Sequence, residues 1–106
     1  MIRVTVTKQN ESILQIEVSG HAFSNDPGFD LVCAGVSSIA TGALNGFDQL
    51  DGEYELIMLD DPYIKIACKK VNEENQLLMR FVLAQLETVA YVHGEHIEIK
   101  VKEEIR

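Results

Sequence analysis

Two side chains suit acyl-transfer chemistry: the thiol of Cys33 and the imidazole of His21, twelve residues earlier. A thiolate can attack a carbonyl carbon, and an imidazole with an unperturbed pKa of about 6.5 can protonate the leaving group near neutral pH. Asp30 is a good helix N-cap residue, and Val32, Val36, Ile39, Ala40, Ala43, Leu44 and Phe47 follow with helical spacing. The spacing predicts a helix from about Leu31 to Phe47 with Cys33 as its third residue. There the unpaired amides and the helix dipole favour thiolate, while the Asp30 carboxylate opposes it. Amides near Val32 to Ala34 are expected to serve as an oxyanion hole. Ser37, four residues after Cys33, falls on the same helix face, where it either bonds the nucleophile or an orienting group or bonds back to a carbonyl.

Most other candidates read as structural. A lone cysteine in an apolar helix is ordinarily a small buried hydrophobe, and Cys68, at a strand end, packs. His93 and His96 flank Gly94-Glu95 and read as solvent-exposed, with no metal or cofactor expected. Lys69-Lys70 is too short for a nucleic-acid patch and lacks stacking aromatics, and no phosphate-loop or dinucleotide fingerprint occurs.

The elements that must position these residues follow from periodicity. Alternation at Ile2, Val4 and Val6, then at Leu14, Ile16 and Val18, predicts a hairpin turning through Lys8 to Glu11. The stretch Ala22 to Phe29, rich in turn formers, reads as a mobile loop between Gly20-His21 and the first helix. Gly35, Ser38, Gly42 and Gly46 form a small-residue stripe that suggests close approach by another backbone. Glu53 to Leu59 and Tyr63 to Cys68 form a second hairpin around Asp60-Asp61-Pro62. A helix capped by Asn72 runs to about His93, with Leu78, Val82, Leu86, Val89 and Val92 inward and Gly94 as a left-handed terminator. Ile97, Ile99 and Val101 make a last strand. The result is one α+β domain of order ββαββαβ, two helices on a mixed sheet.

Composition narrows the function classes. A chain of 106 residues is one domain, and 46% hydrophobic content supports a core without disulfides or metal. A net charge of −8 disfavours nucleic acid and anionic membrane surfaces and attracts basic partners. Six carboxylates and no base lie between Asp48 and Asp61, either a solvated hairpin or a docking field. Two unclustered cysteines suit a reducing, cytosolic compartment, and neither a leader pattern nor a membrane-length apolar run is visible.

Gly20-His21-Ala22, with Gly28-Phe29-Asp30-Leu31-Val32-Cys33-Ala34-Gly35-Val36-Ser37, resembles the paired signature of the Prp family, the ribosomal-processing cysteine proteases of Gram-positive and related bacteria. Gly35 stands where alanine is common. The resemblance spans the chain and implies a cytoplasmic, homodimeric endopeptidase that removes an N-terminal extension from a large-subunit ribosomal protein precursor. It implies a His21–Cys33 dyad, with Asp30 and Ser37 in support. It also implies a loop over the site, for which Gly20 and Gly28 could act as hinges. Two other classes fit the residues alone: a non-catalytic ribosome-assembly or protein-binding module with Cys33 as core, and a thiol redox sensor pairing Cys33 with Cys68.

Overall fold

The computed structural model describes residues 1–20 and 27–104, with side chains from 31 onward in the second stretch. The elements are β1 (Ile2–Gln9), β2 (Ser12–Ser19), α1 (Pro27–Asp48), β3 (Tyr54–Leu59), β4 (Tyr63–Cys68), α2 (Glu73–Val92) and β5 (Ile97–Glu103). This is the expected ββαββαβ order. The strands form one mixed sheet in the order β3-β4-β2-β1-β5, antiparallel except for the β1–β5 pair.

Register decides which face is buried. Val4 pairs with Val18 and Ile99, Ile16 with Val6 and Ile66, Leu56 with Ile66, and Ile2 with Ile97. These apolar positions share one face because strand side chains alternate. Both helices cover that face: α1 contributes Val32, Val36, Ala40 and Phe47, and α2 contributes Met79, Val82 and Leu86. The other face is open and carries cross-strand polar contacts such as Lys65 with Glu55 at 2.5 Å. That ion pair holds the Glu55 carboxyl below its usual range, chiefly through the hydrogen bond from Lys65.

Several boundaries differ from the sequence reading. Helix α1 begins at Pro27, four residues before the expected start at Leu31. Proline is well suited to a first helical position, where its missing N–H costs nothing. Gly28 and Asp30 are therefore helical, Asp30 is not the N-cap, and residues 27–29 of the expected Ala22–Phe29 loop belong to the helix. The remainder of that loop, and His21, lie outside the described residues. The first hairpin is tighter than expected, with Asn10 at φ 56° in its turn.

Asn72 does cap α2, and it forms a capping box: its side chain accepts from the Asn75 amide, while the Asn75 side chain accepts from the Asn72 amide. Gly94 is not left-handed; the chain leaves α2 through backbone bonds from His93 to Val89 and from His96 to His93. Val92 is 64% exposed and Met79 is buried instead, because the inward stripe of α2 runs through Gln76, Met79, Val82 and Leu86. Gly35, Gly42 and Gly46 have no described atom within 4 Å of where a Cβ would lie, so among the described residues no other backbone approaches that stripe.

Two positions hold the sheet ends. Gly20 has φ +136°, and a Cβ there would lie 2.5 Å from the Met1 carbonyl oxygen and 2.9 Å from the Ile2 Cα. Glycine is required for both reasons. At the opposite end, Ile13 lies beyond the last β2–β4 pair, Gln15 with Ala67. There the buried Gln76 amide accepts from Ile13 N at 2.7 Å and donates to Ile13 O at 2.9 Å, supplying the bonds that a neighbouring strand would make. Replacing Gln76 by Leu should therefore cost about 2–4 kcal/mol in urea unfolding, since a buried donor and acceptor lose their partners. Gly20→Ala should also unfold at markedly lower denaturant. A Gln76→Leu change within about 0.5 kcal/mol of the unmutated protein would show that the clamp contributes little.

Candidate active site

Helix α1 crosses the end of the sheet where β2 and β3 finish and β4 begins. Cys33, Val36, Ser37 and Ala40 occur at intervals of three, four and seven residues, which places them on one helical face. That face forms one wall of a cleft of about 320 Å³. The facing wall comes from Val18, Ser19 and Gly20 at the end of β2, Met58 and Leu59 at the end of β3, Asp60 and Pro62 in the turn, and Tyr63 and Ile64 at the start of β4. Cys33 is half-buried, packed against the core on one side and lining the cleft on the other.

Of the expected site residues, the structure brings Cys33, Ser37 and Gly20 to this cleft. Ser37 lines it one helical turn after Cys33, and the next serine, Ser38, donates its hydroxyl to the Ala34 carbonyl at 2.9 Å. Asp30 lies one turn ahead of Cys33 on α1, with its side chain outside the described set. His21 is also outside it, although its sequence neighbour Gly20 lines the cleft.

The early helix start changes the electrostatics of Cys33. It is the seventh residue of α1, not the third. Amides at Val32 to Ala34 are a full turn inside, where an α-helical N–H is taken by the carbonyl four residues back. They are consequently not available as an oxyanion hole, and the dipole effect has largely fallen away by the second turn. Helix placement therefore contributes little to thiolate character at Cys33.

Cys68 is a different kind of thiol. It is buried, and burial pushes its pKa up to about 11. It also lies four residues beyond Ile64 on β4, roughly 13 Å along the strand from the Cys33 cleft that Ile64 lines. A disulfide needs Cα atoms within about 7 Å. The layout counts against a Cys33–Cys68 redox pair.

Sequence reasoning missed the wall supplied by the second hairpin. Met58 and Leu59 are 59% and 56% exposed. The signal was the unbroken apolar run Leu56 to Leu59 just before Asp60-Asp61-Pro62, where β3 loses its alternation. The carboxylate run divides: Asp60 lines the cleft, whereas Asp48 ends α1 and Asp51 follows it. Among the described residues no group of three His, Cys, Asp or Glu side chains gathers as a metal site. Among them, too, no helix is long and apolar enough to cross a membrane.

Comparison with known proteins matches these features to one family. The family model "Cysteine protease Prp" matches residues 1–98. The ribosomal processing cysteine protease Prp of Staphylococcus aureus (strain Mu50) is 31% identical over 106 residues, covering 96% of this chain and all of that protein. The crystal structure of the S. aureus protease with a substrate peptide superposes with a TM-score of 0.86 at 26% identity, covering 96% of this chain and all of that one. A second S. aureus structure, carrying a covalently linked product peptide, gives 0.82 at 27% identity with the same coverage. With the signature segment around Cys33 lining the cleft and the match running through nearly the whole fold, the chain belongs to the Prp family of cysteine proteases.

Proposed function

We propose that this protein is a ribosomal-processing endopeptidase that removes the N-terminal extension of a large-subunit ribosomal protein precursor through a Cys33–His21 dyad. The observation that carries the reading is the position of the Cys33 thiol: half-buried, on the wall of the largely apolar cleft, facing the β2 end from which the chain proceeds directly to His21. Cys33 attacks the scissile carbonyl with its proton passing to His21, which then protonates the departing amine. Water hydrolyses the thioester with His21 as base. Asp30 and Ser37 act in support, Asp30 by orienting His21 and Ser37 from one helical turn after Cys33. Val18, Val36, Ala40, Met58 and Leu59 suit apolar substrate side chains on an extended peptide.

The setting follows from the same reading. A cytoplasmic location fits a ribosomal substrate and two cysteines that are both thiols. A homodimer is supported by apolar side chains left exposed along α2, Leu77 at 61%, Phe81 at 64% and Tyr91 at 92%. A basic precursor would be steered by the chain's net charge of −8, with Asp60 at the cleft. No cofactor, nucleic acid or membrane takes part in this reading.

The test is mass spectrometry of a peptide spanning the extension junction, incubated with unmutated, Cys33→Ala and His21→Ala protein. A single cut is expected from the unmutated protein, with each variant slower by about a thousandfold or more. Retention of cleavage by both variants would overturn the dyad, and absence of a cut in both peptide and intact precursor would favour a non-catalytic binding module. Steering makes kcat/KM on the intact precursor fall several-fold as salt rises from about 0.05 to about 0.5 M; a flat response would remove the field from the account.

Thiol chemistry offers a separate check by pH. In the native protein iodoacetamide should label Cys33 and leave Cys68 untouched up to about pH 9, with Cys68 reacting only after denaturant is added. Because the folded pKa of Cys68 is raised to about 11, its neutral form favours the fold, and that contribution is lost as pH climbs through and above the unfolded thiol value. Equal labelling of both cysteines in the native state would contradict the burial of Cys68.

A further inference from the structure

A second basin, of about 380 Å³, lies on the open face of the sheet, bounded by Arg3, Asp61 and Tyr63. It shares Ser19, Gly20, Leu59, Pro62 and Tyr63 with the Cys33 cleft, so the two cavities meet over the rim of the sheet. Tyr63 is held firmly at that junction. Its hydroxyl donates to Glu17 Oε2 at 2.6 Å, and the other oxygen of Glu17 accepts from Gln15 Nε2 at 2.8 Å. Pairing sets Tyr63 opposite Ser19 and Glu17 opposite Lys65, so the bond runs diagonally across β4 and β2 on the open face.

Burial and the neighbouring Glu17 carboxylate push the Tyr63 hydroxyl up to about 12, which keeps it a neutral donor at any working pH. A hydrogen bond to a charged acceptor is stronger than a neutral one and narrows the ring's freedom. A rigid aromatic surface at the junction of two cavities costs little further ordering when a ligand lies across it. Substrate segments remote from the reacting carbonyl can supply binding energy through such a surface.

We propose that the substrate peptide continues from the Cys33 cleft over the Tyr63 rim into the open-face basin, and that Tyr63, braced by Glu17, is a positioning residue for that distal segment. This deepens the protease reading above and rests on it. The occupant is the same peptide chain beyond the residues that flank the scissile bond, and the chemical step remains with Cys33 and His21.

The experiment compares a short peptide limited to the residues flanking the scissile bond with a longer one extended on both sides, using unmutated, Glu17→Ala, Glu17→Gln and Tyr63→Phe enzyme. The unmutated enzyme should show a lower KM for the longer peptide. Glu17→Ala and Tyr63→Phe should raise KM for the longer peptide about three- to tenfold more than for the shorter one, with kcat changing less than KM. Glu17→Gln keeps an acceptor for the Tyr63 hydroxyl and should recover most of the loss. Equal shifts on both peptides would mean that the brace is structural only and would overturn the subsite, as would cleavage with no dependence on peptide length. If the unmutated enzyme cuts neither peptide, the protease reading falls and the subsite with it.

Discussion

The architecture depends on how α1 must be rotated to bury Val32, Val36, Ala40 and Phe47 against the sheet. Once that stripe faces inward, Cys33 and Ser37 are carried to its edge, where the helix overhangs the ends of β2 and β3. One packing decision thus supplies both the core and the reactive wall of the cleft. A thiol placed there is neither buried out of reach, as Cys68 is, nor open to bulk solvent.

The opposite wall has an equally physical origin. Gly20 lies against the backbone of Met1 and Ile2, closer than any side chain permits, and this fixes the point at which the chain leaves β2. The β3–β4 hairpin brings Met58 and Leu59 alongside, and the Glu17–Tyr63 bond secures the rim on the far face. At the other end of the sheet, Gln76 satisfies Ile13 where β4 has stopped. The fold is pinned at both ends, and the cleft occupies the end from which the chain runs on to His21.

The position of Cys33 in the second turn of α1 alters how its reactivity must be understood. Helix-dipole stabilisation of thiolate is a first-turn effect, and the first turn here belongs to Pro27 through Asp30. With little help from the dipole, thiolate formation in the proposed mechanism rests on the His21 pairing. The oxyanion of a tetrahedral intermediate likewise needs donors other than the amides of Val32 to Ala34.

Much of this protein was legible in its residues. Strand alternation in Ile2-Val4-Val6 and Leu14-Ile16-Val18, the Asn72 cap and the Asp60-Asp61-Pro62 turn are local signals, each set by backbone preference and side-chain period, and they specify the ββαββαβ order. The spacing of Cys33 and Ser37 on one helix face was legible for the same reason. Local signals misplaced the start of α1, because Pro27 and Gly28 favour turns and helix first turns alike, and only the neighbouring chain selects between them. They also missed the cleft wall at Met58 and Leu59, the clamp from Gln76 to Ile13 and the brace from Glu17 to Tyr63. Those contacts join residues 63 and 46 positions apart for the clamp and the brace. Periodicity determined which elements form and which faces they bury; tertiary packing alone decided which distant ends meet to make the site, since such contacts depend on sheet order and register rather than on any neighbour in sequence.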